Sequence, residues 1–123
     1  DLDHFKEIND TYGHVKGDEA ILFLAELLKQ HLDNEHVLAS RVGGDEFIII
    51  FDNVSDHDVH IVCYEIQEAL NKHVFMKDED QFWIEISIGL AYSHENDTSV
   101  ELMDRADQAM YQVKHTKAKK PQI

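Results

Sequence analysis

Arg41-Val42-Gly43-Gly44-Asp45-Glu46-Phe47, set between Leu38-Ala39 and Ile48-Ile49-Ile50-Phe51, decides how the rest of the chain is read. An apolar run enters, two glycines turn it, two acids follow, and a fully apolar run leaves. Glycine takes positive φ without a Cβ clash, so Gly-Gly between strand-like runs predicts a β-hairpin, with strands over Val37–Val42 and Phe47–Phe51. The two carboxylates stand at the edge of a run expected to be buried. Charge beside a core costs free energy unless a cation or a functional task offsets it. The glycine pair also lets a bulky ligand approach the backbone closely. These residue types point to a metal-assisted site at the hairpin tip; an exposed acidic turn is the ordinary alternative.

Outward from the hairpin, composition narrows the function classes. The chain has 123 residues, 43% of them hydrophobic, which predicts one domain with a moderate core. A formal net charge of −14 disfavours nonspecific binding to nucleic acid or to an anionic membrane, since both need a positive field. A phosphate ligand must then be held by local lysines, backbone N–H groups or bound cations. Cys63 is the single cysteine, so no intrachain disulfide forms and a reducing, cytoplasmic compartment is expected. No apolar run approaches the length of a membrane span. The abrupt, charged start at Asp1, with no signal peptide, reads as the interior of a domain.

Spacing then gives the elements. Phe5, Ile8 and Tyr12 predict a short helix, and Gly13 and Gly17 bracket a turn holding His14, Val15 and Lys16. A strong amphipathic helix is expected from Asp18 to about Leu32, on Ile21, Leu24, Ala25, Leu28 and Leu32, with Asp18 and Glu19 at its positive end. Ser55-Asp56-His57-Asp58 has the form of a capping box, opening a helix buried on Val59, Val62, Ile66, Ala69 and Leu70. Lys77–Gln81 reads as a charged loop, and the alternation from Phe82 to Tyr92 as a strand. Thr98-Ser99-Val100-Glu101 caps a last helix on Leu102, Met103, Ala106, Ala109, Met110 and Val113. With a strand ending at Asp1–Asp3, the order predicts an α+β fold. A ferredoxin-like or polymerase-palm-like, largely antiparallel sheet flanked by helices is the natural candidate.

Three polar clusters carry chemistry. Asp1 and Asp3 at a strand end and Asp45 and Glu46 at the hairpin tip are hard oxygen donors of the kind Mg²⁺ prefers, and Mg²⁺ shares its coordination with substrate phosphates. The third cluster is Lys6, Asn9, His14 and Asp18. An Asn and an Asp together can read a purine edge, the carboxylate accepting from N–H donors and the amide serving both ways. Singly, each has a plain alternative: a helix C-terminal turn for Asn9-Asp10, a helix-end charge for Asp18, a solvated terminus for Asp1 and Asp3. His57 and His60 read as surface polar residues, Cys63 as a packed core residue, Trp83 as a sheet-face anchor, and Lys117, Lys119 and Lys120 as a solvated tail.

Taken together, the motifs resemble the GGDEF domain family, the catalytic module of bacterial diguanylate cyclases. The matching residues are Asp1-Leu2-Asp3-His4-Phe5-Lys6 with Asn9-Asp10, Gly13-His14, Gly17-Asp18 and Arg41-Val42-Gly43-Gly44-Asp45-Glu46-Phe47. Ser87-Ile88-Gly89 and Arg105-Ala106-Asp107 with Ala109, Tyr111 and Lys114 complete the set. The likeness covers nearly the whole of residues 1–123, without the family's usual upstream helix and most of its first strand.

The resemblance implies condensation of two GTP molecules into cyclic di-GMP with release of pyrophosphate, dependent on Mg²⁺ or on Mn²⁺ in its place. It implies that Asp1, Asp45 and the Leu2 carbonyl bind metal, and that Glu46 lies beside the ions. Either Asp45 or Glu46 serves as the base. Asn9 and Asp18 would read guanine, with His14 between them; Gly43 and Gly44 would border the nucleotide; His4 and Phe5 through their backbone, with Lys6 and Lys114, would hold phosphates. Each domain binds one GTP, so turnover implies a homodimer. An upstream sensory or receiver domain is expected in the full protein, itself membrane-anchored or not, while this domain touches neither nucleic acid nor membrane. The alternative is a catalytically inactive GGDEF-like module that binds GTP and regulates a partner. Two departures stand out. Asn34-Glu35-His36-Val37 replaces the family's Arg-x-x-Asp product site, so product inhibition there is not expected. Ala118 stands where an arginine is usual, which leaves Lys117 or Lys119 to supply the charge without a bidentate fork.

Overall fold

The structure, a computed structural model, describes residues 1–119, with side chains through Lys117. The predicted basic tail at Lys120 and the side chains of Ala118 and Lys119 lie outside the described residues. The architecture is α+β, and the chain divides into two compact units, Asp1–Ile86 and Ser87–Ile123.

The first unit begins with helix α1 (Phe5–Tyr12), which buries Ile8, followed by α2 (His14–His31). Helix α2 turns Ala20, Ile21, Leu24, Leu27 and Leu28 into the core, a stripe at helical period. It starts four residues before the predicted Asp18, so Asp18 lies in its second turn. Gly13, at φ 93, makes the break between the helices. Gly17 is a buried residue inside α2, where a side chain would collide with Asn9 of α1. The sequence offered two glycines as breakers; one of them is there for close helix packing.

Strands β1 (Val37–Gly43) and β2 (Glu46–Phe51) form the expected antiparallel hairpin, with Val37 opposite Phe51 and Arg41 opposite Phe47. The register shifts between Arg41 and Gly43, which bulges Val42, and Gly43 pairs with Glu46. The turn residues are therefore Gly44 and Asp45 rather than the two glycines. The apolar run of β2 is only half-buried, and Ile50 is 55% exposed.

Helix α3 (Asp56–Lys72) opens as the capping box predicts: the Asp58 amide donates to Ser55 Oγ at 3.1 Å. Val59, Cys63, Ile66 and Leu70 are its buried face, and burial raises the Cys63 thiol pKa. Between Phe75 and Phe82 the structure departs from expectation. Residues predicted as a charged loop form a small hairpin, β3 (Phe75–Lys77) and β4 (Asp80–Phe82). Its cross-strand pair Phe75 and Phe82 stacks at 5.4 Å, Tyr12 stacks on Phe82 at 4.0 Å, and Phe23 meets Phe75 edge-on at 5.5 Å. This aromatic row ties the hairpin to α1 and α2.

The predicted strand Phe82–Tyr92 is not continuous. Burial does alternate, with Phe82, Ile84 and Ile86 inside and Trp83 and Glu85 outside, but pairing beyond β4 reduces to one antiparallel bridge, Ile86 to Leu2. A strand needs a partner as well as a buried face, and the described partner segment, Asp1–Asp3, is three residues long. Among the described residues the strand pairing is antiparallel throughout and forms two two-stranded sheets, with the Leu2–Ile86 bridge beside them.

In the second unit, α4 (Ser99–Lys119) is capped by Thr98, whose Oγ1 accepts from the Glu101 amide at 3.1 Å. Leu102, Ala106, Ala109, Met110 and Val113 are half-buried, whereas Met103 is exposed. No helix among the described residues is long and apolar enough to cross a membrane.

Candidate functional site

The acidic residues at the start of the chain are placed by Leu2. Its side chain is 1% exposed, and in an extended segment alternate residues face opposite ways, so Asp1 and Asp3 leave the core together, both half-buried. Backbone bonds hold this segment on two sides. The Leu2 amide donates to the Asp45 carbonyl at 3.4 Å, and the Asp3 amide donates to Glu85 at 2.8 Å. The first bond matters most, because it lays Asp1-Leu2-Asp3 against the hairpin tip that carries Asp45 and Glu46. Two acidic segments forty residues apart in sequence thus share one place in the fold.

The tip itself is set by Gly44 and Arg41. Gly44 adopts φ 43, a region that costs an L side chain about 1–2 kcal/mol. Arg41 Nε donates to the Gly44 carbonyl at 2.8 Å and pins the turn. Arg41 was quoted in the motif but carried no role in the sequence reading; a basic residue three before a turn carbonyl was the available signal. A Cβ added at Gly43 or Gly44 would meet nothing within 4 Å, so open space lies over this backbone. Asp45 and Glu46 are half-buried.

Asp1, the Leu2 carbonyl, Asp45 and Glu46 are oxygen donors throughout, and Oδ1 of Asp1 is withdrawn from solvent. Among the described residues no group of three or more His, Cys, Asp or Glu is gathered closely enough to hold an ion alone. Mg²⁺ keeps several waters and is bound through one or two carboxylates plus phosphates rather than an all-protein cage. The donor set suits an ion shared with a phosphate ligand.

His4 lies between Asp3 and α1, in left-handed backbone at φ 56 and ψ 34. A non-glycine residue held there stores strain of about 1–3 kcal/mol, and such residues cluster at ligand sites. The His4 side chain makes no capping bond to the start of α1, and the first-turn N–H groups of such a helix start suit anions. Lys6 is exposed on that turn, and His4 Nδ1 lies 3.8 Å from Glu7 on the surface. Asn9, at the other end of α1, rests on Gly17 of α2, the residue before Asp18. His14 and Asp18 are exposed on the first turns of α2. Lys114 belongs to the second unit, half-buried on α4. A groove of about 470 Å³ between α2 and the segment leading into β3, lined by Leu22, Phe23, His73 and Met76 among others, contains none of the residues predicted for the site.

Comparison with known proteins decides the family. Residues 1–120 match the family model described as "Diguanylate cyclase, GGDEF domain". This chain belongs to the GGDEF family. A diguanylate cyclase from Vibrio cholerae is 35% identical over 115 residues, covering 93% of this chain and 35% of the relative. DgcN, a diguanylate cyclase from Escherichia coli, is 36% identical over 121 residues, 98% of this chain and 29% of its own length. Among solved structures, the GGDEF domain of DgcB from Caulobacter crescentus in complex with c-di-GMP superposes with a TM-score of 0.88 at 30% identity, covering 94% of this chain and 69% of that one. This GGDEF domain therefore spans about a third of the length of the curated relatives it matches.

Proposed function

We propose that this GGDEF domain condenses two GTP molecules into cyclic di-GMP. The observation that carries the reading is the Leu2–Asp45 backbone bond, which brings the acidic segment at Asp1 to the acidic hairpin tip. Family membership and relatives named diguanylate cyclases support it. GGDEF diguanylate cyclases use divalent ions, and Mg²⁺ is the ion assigned here, with Mn²⁺ as its substitute.

Asp1, the Leu2 carbonyl, Asp45 and Glu46 would hold the ion, which when bound neutralises phosphate charge and favours ionisation of the attacking hydroxyl. The chain's own residues do the rest. The backbone of His4 and Phe5, with Lys6, receives the triphosphate at the start of α1, which answers the problem set by a net charge of −14. Asn9 and Asp18 hold guanine, and His14 closes the same edge. The open backbone at Gly43 and Gly44 lets the nucleotide lie against the turn. Asp45 or Glu46 takes the proton from a 3′-hydroxyl, whose oxygen attacks the α-phosphorus of the facing GTP; the bond to the β-phosphate breaks and pyrophosphate leaves. The exchange happens twice, once in each direction, so two domains must face each other. A homodimer is the active form, and upstream sensory segments control its assembly.

Incubation of the full-length protein at high concentration with GTP and Mg²⁺, followed by chromatography of the products, tests the reading. Cyclic di-GMP and pyrophosphate are expected, with a rate per domain that rises with protein concentration. GTP binding with no cyclic dinucleotide would replace this reading with that of a regulatory GTP-binding module.

A further inference from the structure

We infer that Gly17 is a positioning residue for base selection, acting through Asn9; the inference rests on the guanine role proposed for Asn9 and Asp18. Glycine inside a helix costs about 1 kcal/mol relative to alanine, and Gly17 is buried in α2 with no positive φ to justify it. What Gly17 supplies is room. A Cβ built there would overlap Oδ1 of Asn9 and would lie 3.0 Å from Asn9 Cγ and 3.4 Å from Phe5 Cε1. The Asn9 amide therefore lies directly on the α2 backbone, oxygen inward.

That orientation has a chemical consequence. A Cα hydrogen attracts an amide oxygen weakly, whereas an NH₂ group in the same place would be opposed. With Oδ1 turned to Gly17, Nδ2 is the end of the amide left for a ligand, and it only donates. Guanine offers the O6 acceptor where adenine offers the N6 donor. A donor-only Asn9 therefore accepts guanine and rejects adenine, and the carboxylate of Asp18 complements it by accepting from the guanine N–H groups. An asparagine free to turn over would satisfy either base. Gly17 converts an ambivalent side chain into a selective one.

The test measures binding of GTP, ATP and 6-thioguanosine triphosphate, which keeps the guanine N–H groups but replaces O6 with a weakly accepting sulfur, to the full-length protein by calorimetry with Mg²⁺ present. The unmutated protein should prefer GTP to the thio nucleotide by about threefold or more and to ATP by about tenfold or more. Gly17→Ala should abolish the preference over the thio nucleotide and lower that over ATP by about threefold or more, the remainder coming from Asp18, with ATP affinity nearly unchanged, and adding Asn9→Ala to it should cause no further loss. The second measurement needs no substitution: the Asn9 side-chain NH₂ resonances should shift more with GTP than with the thio nucleotide. Ratios unchanged in a folded Gly17→Ala, or NH₂ resonances indifferent to O6, would overturn the inference. If Asn9→Ala itself keeps the unmutated ratios, the guanine reading fails as well. If Asn9→Ala lowers them and Gly17→Ala does not, the positioning role alone is lost.

Discussion

Arg105 grips Asp97 through both guanidinium ends, Nη1 donating to Oδ1 at 3.0 Å and Nη2 to Oδ2, while Nη2 also donates to the Tyr92 carbonyl at 2.8 Å. The His94 amide donates to the same carboxylate at 2.6 Å. One arginine of α4 thus closes the loop that precedes its own helix. The Arg105 hydrogen bonds first, and the His94 amide second, hold the Asp97 carboxyl at about 2, below its ordinary 3.8. A carboxyl depressed in the folded state stabilises above its unfolded pKa and loses that contribution as pH falls through the folded one. Protection of the Tyr92–Asp97 loop amides, each exchange rate taken relative to its intrinsic rate at the same pH, should be flat above about pH 5 and fall between about pH 4 and 2. Asp97→Asn should exchange faster at neutral pH and lose that acid-dependent step; a step unchanged in this variant would assign it to another carboxylate.

Gly89 lies against α4 within the second unit. A Cβ there would run into the Ala106 carbonyl oxygen and the Met110 amide nitrogen, and would stand 2.8 Å from Met110 Cα. These are backbone atoms of a helix and cannot swing aside. Gly89→Ala should destabilise the domain by about 1–3 kcal/mol through overpacking, seen as a lower denaturation midpoint with an unchanged m-value. Stability equal to that of the unmutated protein would mean that the close approach of this segment to α4 is not held in solution.

Ser55 is an inexpensive position to test because its role is local. Its Oγ satisfies the Asp58 amide at the start of α3, and its side chain is exposed. Ser55→Ala should cost about 1 kcal/mol, whereas Ser55→Asp should restore most of it, since aspartate caps as well and favours the helix dipole. Equal losses for both substitutions would point to some other function of the hydroxyl.

What the sequence made legible was whatever depended on near neighbours. The caps at Ser55 and Thr98 are four-residue patterns, and in both the hydroxyl accepts from the amide three residues on, as read. The hairpin from Val37 to Phe51 is contiguous, and its register follows from its turn. The misreadings share a cause in distant contacts. Gly17 looked like a helix breaker because the Asn9 side chain that requires it belongs to another helix. The alternation from Phe82 reports which face is buried, and it does so accurately through Ile86, but alternation says nothing about whether a second strand lies alongside. The β3–β4 hairpin was hidden by the charges of Lys77–Asp80, while the Phe75–Phe82 pair that closes it was visible only as two aromatics seven apart. At the site, the residue types were legible, but the bond that seats Leu2 on Asp45 was not, because backbone groups carry no sequence signal.

The pin from Arg41 to Gly44 offers the sharpest separation of geometry from stability at the proposed active site. Arg41 is exposed, so removing its side chain uncovers little apolar surface, and its bond to the Gly44 carbonyl spans a turn that already closes through the β1–β2 ladder. Arg41→Ala should therefore change stability by no more than about 0.5 kcal/mol, the usual range for surface positions. Its effect on turnover should be larger. The turn carries Asp45, and a displacement of about 1 Å at a reacting group can lower a rate on the order of a hundredfold. Cyclic di-GMP formation should fall at least about tenfold in kcat, with a smaller loss of GTP affinity, about threefold or less, because the guanine and phosphate contacts proposed above lie on α1 and α2 and only Gly43 and Gly44 would border the nucleotide from the tip. Arg41→Lys should recover little, since the bond uses Nε, near the middle of the arginine side chain, and lysine has no donor there. Steady-state kinetics with a parallel GTP titration checks all three expectations. A variant that keeps full kcat would show that the pose of the tip does not depend on this bond, and one that loses GTP binding instead would move Arg41 into the nucleotide contacts.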